Sequence, residues 1–280
     1  MGGRGSRRAA KFERLWFWRL RRSVALPKIS SLTDLNMHLL TRSTPIALAI
    51  AISRLLAVDA AEPAKTASTQ TVRIITLGDS ITKGVREGVR AEETFSAILE
   101  AALTKQGVDA AVTNVGIGGE RTDQALERLD KHVVAKKPQF VAIMYGTNDS
   151  YVDKGAKTSR LTVEQYRDNL RTLVARLRAA GIVPILMTEP RWGDKAGPNG
   201  IGEHPNVRLE PFVAACREVA RDLKVPLVDH YEAWSRKRAE GIDIGGWTTD
   251  QCHPNPAGHR FLAETMRPVV VEQAIKSATK

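Results

Sequence analysis

The chain has 280 residues, of which 42% are hydrophobic and 26% charged, the composition of an ordinary globular protein with room for a substantial core. Its formal net charge of +11 is concentrated at the N-terminus. Residues 1–60 contain 11 Lys and Arg against 3 Asp and Glu, whereas the other 220 residues contain 31 against 28. Nucleic-acid binding requires basic residues clustered on the folded domain, so this distribution argues against a nucleic-acid partner.

The N-terminal leader has the features of an export signal. Its apolar run, Pro45–Val58, is interrupted by Arg54 and is too short for a comfortable membrane span. The run ends in Val58-Asp59-Ala60, a small-x-small pattern suited to signal peptidase. We therefore predict a basic leader and linker over residues 1–70, with a signal peptide over about 37–60, and an exported mature chain without a stable membrane span. An uncleaved anchor and a basic leader with no targeting role are the alternatives.

The rest of the chain, residues 71–280, alternates short apolar strands with amphipathic helices. The strands are predicted over Val72–Leu77, Ala110–Val115, Phe140–Tyr145, Ile182–Met187 and Val225–Val228. The helices are predicted over Thr94–Gln106, Thr122–Val134, Thr162–Ala180, Asn206–Leu223, Tyr231–Arg238 and Ala257–Gln273. This alternation indicates one α/β domain with a parallel five-stranded sheet covered by helices on both faces.

Reactive groups in such a sheet collect at the carboxyl ends of the strands. Four short blocks have such a position, or lie in the loop before the last helix: Asp79-Ser80, Asn114 to Gly119, Gly146-Thr147-Asn148-Asp149, and Asp250 to His253. Alone, each is explained by a helix cap, a tight turn or a solvated loop. Their occurrence together, in chain order, favours a functional site.

The residue types in these blocks complete the requirements of acyl transfer. Ser80 is the candidate nucleophile, and His253 is the base that would take its proton. Asp250, in the same loop as His253, could fix the tautomer of the imidazole and support its positive charge. For the oxyanion hole, the backbone N–H groups of Ser80 and Gly119 and the side-chain amide of Asn148 are the candidate donors.

At this point the sequence resembles the SGNH hydrolase superfamily, the GDSL-type esterases and lipases, over about residues 72–270. The resemblance rests on Gly78-Asp79-Ser80, Asn114 to Gly119, Gly146-Thr147-Asn148-Asp149 and Asp250-x-x-His253. It implies a flavodoxin-like three-layer α/β/α fold and a serine carboxylic-ester hydrolase with the triad and oxyanion hole named above. As the glycine whose backbone N–H serves the oxyanion hole, Gly118 is the alternative to Gly119. No metal and no organic cofactor are called for.

Substrate preference is expected to depend on the loops Ser150–Leu161 and Glu189–Pro205, and on Trp247 near the Asp250 loop. Tryptophan suits stacking on sugar faces as well as packing of acyl chains. We expect a small acyl ester, such as acetyl on a carbohydrate. A lysophospholipase or thioesterase of the same superfamily, or a non-catalytic carbohydrate-binding protein on the same fold, is the alternative.

Several other polar residues have more ordinary interpretations. The histidines outside the blocks have no partner at metal spacing, so we expect surface or capping roles for them, with His259 exposed. Asp79 and Asp149 are expected to brace the site through hydrogen bonds to loop backbone. Cys216 and Cys252 are too few for a disulfide framework, although a single bridge stays open, and Cys252 is expected to pack against its loop.

Overall fold

The protein's structure, a computed structural model, describes residues 71–278. The leader over residues 1–70 and the signal peptide over 37–60 lie outside the described residues. Five parallel strands form one sheet in the order β2-β1-β3-β4-β5. They are β1 (Val72–Gly78), β2 (Ala110–Asn114), β3 (Phe140–Met144), β4 (Val183–Met187) and β5 (Leu227–Val228). The predicted five-stranded parallel sheet is confirmed.

Eight α-helices connect and cover these strands within the described residues. They are α1 (Ser80–Lys83), α2 (Phe95–Lys105), α3 (Thr122–His132), α4 (Thr147–Ser150), α5 (Val163–Ala179), α6 (Pro205–Asp222), α7 (His230–Ala239) and α8 (Pro256–Ala278). The longer helices begin at recognisable capping residues. Thr162, for example, accepts a hydrogen bond from the backbone N–H of Gln165, whose side chain accepts from the Thr162 N–H, a capping box that starts α5.

Two apolar cores lie on the two faces of the sheet, as expected of a three-layer sandwich. One contains Leu129 of α3, Leu173 of α5 and Val219 of α6, and the other contains Leu99 of α2 and Leu262 of α8, all fully buried. The strands supply both cores because alternate side chains of a strand point to opposite faces. Burial of these faces, rather than helix propensity, accounts for most of the stability of such a fold.

The environments of the cysteines and histidines agree only in part with the expectations from the sequence. Cys216 and Cys252 are buried and free, and each belongs to a different one of the two cores, which excludes a bridge between them. His204 caps α6 as expected. The expectation that His259 is exposed is wrong, because its ring is buried behind α2, where its Nδ1 accepts from the Phe95 N–H at 3.3 Å. His230 is also fully buried.

No helix within residues 71–278 is both long and apolar enough to span a bilayer. The parallel arrangement brings the carboxyl ends of β1, β2 and β3 to one edge of the sheet. The candidate residues after those strands therefore share an edge with the loop that precedes α8.

Candidate active site

The candidate nucleophile Ser80 is the first residue of α1, immediately after β1. Asp79 caps this short helix, because its Oδ1 accepts from the Ile81 N–H at 2.9 Å. The turn requires glycine at position 78, since a Cβ there would clash with the Thr82 side chain and lie 2.5 Å from the Met144 carbonyl oxygen. The close approach of β1, α1 and β3 thereby fixes the position of Ser80.

Ser80, His253 and Asp250 form a continuous chain of hydrogen bonds. The Ser80 Oγ lies 2.9 Å from Nε2 of His253, and Nδ1 of His253 lies 2.7 Å from Oδ2 of Asp250. With the serine hydroxyl donating to Nε2, the proton of a neutral imidazole resides on Nδ1 and is donated to the carboxylate. The structure thus brings the three side chains together, although 173 residues separate the serine from the histidine in the sequence.

Asp250 is held as an anion by its neighbours. Partial burial acts to raise its pKa, but hydrogen bonds from the backbone and the ring of His253 bring the pKa of Asp250 below its ordinary value. Its Oδ1 accepts from the backbone N–H groups of Cys252 and His253 at 3.1 and 2.8 Å. Its Oδ2 also accepts from a guanidinium nitrogen of Arg86 at 3.0 Å. The carboxylate is therefore oriented from three directions.

Three backbone N–H groups near Ser80 are unused. Those of Ser80, Gly118 and Gly119 donate no hydrogen bond to any residue within 71–278. Gly118 is the nearer of the two glycines to the serine, since a Cβ built on it would lie 3.9 Å from the Ser80 Cβ. Gly119 adopts φ of +78°, a left-handed conformation that favours glycine. Both glycines named from the sequence therefore keep a donor available.

Asn148, in α4 directly after β3, lies between two charged side chains. Its Nδ2 donates to Oδ2 of Asp79 at 2.8 Å, and its Oδ1 accepts from NH1 of Arg160 at 3.1 Å. An amide nitrogen carries two hydrogens, so one N–H of Asn148 remains after the bond to Asp79. This hydrogen has no acceptor among the hydrogen bonds of residues 71–278 and is available as a donor.

Three carboxyl groups are buried behind the site, those of Asp79, Asp149 and Glu189. Burial raises the pKa of Asp79 to about 7 and that of Asp149 to about 6, and it raises the pKa of Glu189 well above its usual range. The acids also raise each other's pKa by charge repulsion. Asp149 accepts from the Thr122 backbone N–H at 3.0 Å, so both aspartates brace backbone as expected, but the donors lie in the first turns of α1 and α3 and not in loops.

The two long loops named from the sequence form one side of the site. The rings of Tyr151 and Trp192 stack with a 16° interplanar angle and centroids 6.3 Å apart, and the Gly200 N–H donates to the Val152 carbonyl at 2.8 Å. Trp247 instead packs into an aromatic cluster with Trp234 and Phe261. Its role is packing beneath the loop that carries His253.

Sequence reasoning missed three residues that contact the candidates: Arg86, Arg160 and Glu189. Glu189 lies two residues after the end of β4, so the strand-end criterion that selected Ser80 would also have found it. The two arginines lie in irregular loops, and no motif or periodicity marks them. The structure offers no group of three His, Cys, Asp or Glu side chains suited to a metal ion within residues 71–278.

A parallel α/β/α sandwich that presents Ser, Gly, Asn and His at one sheet edge defines an ester-hydrolysing class of enzyme. A family model for the GDSL-like lipase/acylhydrolase family matches residues 76–261, and the chain belongs to this family. It is accordingly a carboxylic ester hydrolase of the SGNH superfamily.

Similar proteins from several organisms support this assignment. The chain is 28% identical to an uncharacterised lipoprotein of Bacillus subtilis, covering 68% of this chain and 86% of the relative. It is 28% identical to a rat isoamyl acetate-hydrolyzing esterase 1 homolog, covering 68% and 78%. It is 27% identical to an acetylxylan esterase of Geobacillus stearothermophilus, covering 68% and 90%.

The fold is shared with solved structures. The crystal structure of the acetyl xylan esterase AlAXEase superposes with a TM-score of 0.60 at 24% identity, covering 71% of this chain and 100% of that one. At this identity the similarity concerns the fold alone, and it agrees with the flavodoxin-like three-layer arrangement expected from the sequence.

Proposed function

We propose that the protein hydrolyses small acyl esters, acetyl esters in particular, with Ser80 as nucleophile, His253 as general base and Asp250 as the residue that orients the histidine. The observation that carries this proposal is the unbroken chain from Ser80 Oγ through the imidazole to Asp250, with contacts of 2.9 and 2.7 Å. Hydroxyl activation by an oriented imidazole is what acyl transfer requires.

The proposed reaction has two steps. Ser80 Oγ attacks the ester carbonyl carbon while Nε2 of His253 takes the hydroxyl proton, and the intermediate then collapses, so that the alcohol leaves with that proton. Water, deprotonated by the same Nε2, releases the acid from the acyl-serine. The negative oxygen of each intermediate accepts from the N–H groups of Ser80 and Gly119 and from the Asn148 amide. Their unused donors support this assignment.

The acetyl preference is supported by two relatives whose names give an acetyl ester with different alcohols, isoamyl acetate and acetylxylan. Release of p-nitrophenol from acetate, butyrate and octanoate esters, together with acetate release from acetylated xylo-oligosaccharides, tests it. We expect kcat/KM to fall with acyl length. A preference for octanoate, or for thioesters, would instead favour the lysophospholipase or thioesterase alternative.

The nucleophile is tested by Ser80→Ala with p-nitrophenyl acetate. We expect kcat to fall by at least about 10³-fold, because within residues 71–278 no other hydroxyl is hydrogen-bonded to the imidazole ring of His253. Ser235→Ala is the matched control, since the Ser235 hydroxyl in α7 makes no hydrogen bond within residues 71–278. Equal rates for wild type and Ser80→Ala would refute the serine mechanism. Rates of both proteins equal to that of buffer alone would favour the non-catalytic alternative.

We also propose that residues 71–280 are the catalytic domain and that the leader is removed on export. Mass spectrometry of the mature protein should find a new N-terminus after Ala60. A chain that retains residues 1–60 in the cytosol would contradict this.

A further inference from the structure

The side-chain amide of Asn148 has neighbours of opposite hydrogen-bonding character. On one side Asp79 presents a carboxyl oxygen that accepts from Nδ2 at 2.8 Å. On the other side Arg160 presents a guanidinium N–H that donates to Oδ1 at 3.1 Å. A guanidinium can only donate, so this contact identifies the atom facing Arg160 as the amide oxygen and not the nitrogen.

A half-turn of the amide about its last torsion would break both contacts. The nitrogen would then face the donors of Arg160, and the oxygen would face Asp79. The same rotation would move the free N–H away from the front of Ser80 and bring a lone pair near the developing oxyanion. Misorientation would therefore replace a stabilising donor with a repulsive acceptor at the reacting oxygen.

The side chain of Arg160 is itself held in place by residues of its own loop. Its Nε and NH2 donate to the two carboxylate oxygens of Asp153 at 2.8 and 2.7 Å, a bidentate pair. Its guanidinium carbon lies 5.3 Å from the Tyr151 ring centroid, and its backbone N–H donates to the Tyr151 carbonyl at 3.0 Å. Hydrogen bonds to Asp153 thus occupy Nε and NH2, and NH1 donates to Asn148.

We propose that Arg160 is a positioning residue that fixes the orientation of the Asn148 amide, so that the side-chain donor of the oxyanion hole faces the substrate. This inference rests on the proposed function, because it assumes that Asn148 contributes to the oxyanion hole. Arg160 does not touch the reacting atoms in this role. Its effect is exerted through Asn148 alone, and that restriction makes the proposal testable.

The test is a double-mutant cycle of Arg160→Met and Asn148→Ala, assayed with p-nitrophenyl acetate. We expect Arg160→Met to lower kcat about tenfold with KM changed less than about twofold, since an oxyanion donor acts mainly in the transition state. In the Asn148→Ala background, Arg160→Met should change kcat by less than about twofold, because the group that it orients is gone.

Asp153→Asn is the matched control for loop anchoring, because it weakens the bidentate pair and leaves the guanidinium in place. We expect its kcat to stay within about threefold of wild type. If it falls as far as that of Arg160→Met, or if Arg160→Met still costs tenfold without Asn148, Arg160 acts through the loop and the proposal is wrong. Should Arg160→Met melt below the assay temperature, Arg160→Leu, which also lacks a donor, takes its place in the same cycle.

Failure of this inference is distinguishable from failure of the proposed function. Full activity in Ser80→Ala would remove the serine mechanism whatever Arg160 does. Loss of activity in Ser80→Ala and Asn148→Ala, with normal kcat in Arg160→Met, would overturn only the positioning role.

Discussion

The adjacent residues Gly118 and Gly119 illustrate how two glycines can be required for different reasons. Gly119 lies at φ of +78° with open space around a built Cβ, so the requirement there is conformational. Gly118 has no positive φ, but its Cβ direction points to within 3.9 Å of the Ser80 Cβ. A Cβ at that distance makes an ordinary van der Waals contact, so a side chain there would fit the protein but would occupy space beside the candidate nucleophile.

Alanine substitutions should separate these two requirements. Gly119→Ala should lower the free energy of unfolding by about 1 kcal/mol, the cost of a side chain in the left-handed region. Gly118→Ala should leave stability within about 0.5 kcal/mol and lower kcat/KM about tenfold, because its methyl group displaces the bound ester from the nucleophile. Urea denaturation and p-nitrophenyl acetate kinetics measure both effects. Unchanged stability of Gly119→Ala would contradict the assigned backbone strain.

At this scale the sequence predicted which residues come together only where the chemistry was local to a strand end. Ser80 and Asn148 were found in this way, and His253 was found from its spacing to Asp250 in the loop before the last helix. The contacts of Arg86 and Arg160 were not found, because they depend on the conformations of irregular loops, which no periodicity encodes. The burial of His259 was missed because its helix packs its inner face against α2, a tertiary contact that one helix's own sequence does not determine.

At the scale of elements, Asn255 connects the end of the Ile244–Trp247 turn to α8, on either side of the His253 loop. Its Oδ1 accepts from the N–H groups of Ala257 and Gly258 at 2.9 and 3.1 Å. Its Nδ2 donates to the Gly246 carbonyl at 2.8 Å. One side chain therefore caps the helix and closes the loop that positions the candidate base.

Asn255→Ala should lower the free energy of unfolding by about 1–2 kcal/mol, because both the cap and the link to Gly246 are lost. Asn255→Ser retains a capping oxygen but does not reach Gly246, so it should recover about half of that loss. Urea denaturation of the three proteins measures the difference. Equal stability of the alanine and serine variants would mean that the cap contributes nothing.

The predicted elements differ from the observed ones mainly at their ends. β5 contains only Leu227–Val228, shorter than the predicted Val225–Val228, because Pro226 has no N–H for a ladder and Val225 instead donates to the Ala220 carbonyl. The short helices α1 and α4 were not predicted as separate elements. Each is a single turn formed after a strand, where local propensity carries little information.

At the scale of the whole molecule, the buried acids link stability to pH. Their pKa values are raised in the folded state, so the stability they contribute is present at low pH and is lost as the pH rises through the folded values, about 7 for Asp79. His230 and His259 are also buried. Burial lowers their pKa to about 3 and 4, so they oppose this trend only below pH 6.5.

Between pH 6.5 and 8 the pH dependence of stability therefore comes from the buried acids, and Tm should fall by roughly 3–6 °C over this interval. Glu189→Gln should make that fall smaller, because the amide has the shape of the protonated acid and does not ionise. Glu127→Gln, at an exposed position in α3, should leave the slope unchanged. Differential scanning calorimetry in matched buffers measures the slopes, and a wild-type Tm that rises with pH would contradict the prediction.

The candidate nucleophile follows the first strand, whereas its candidate base precedes the last helix, 173 residues later. An unfinished chain emerging from the ribosome therefore carries Ser80 without any imidazole beside it, even after its early strands have paired. Local opening of the loop that carries His253 would separate the same two groups in the finished protein while most of the sheet remained intact. On the proposed mechanism, ester cleavage therefore reports the seating of that loop and not only the presence of the sheet.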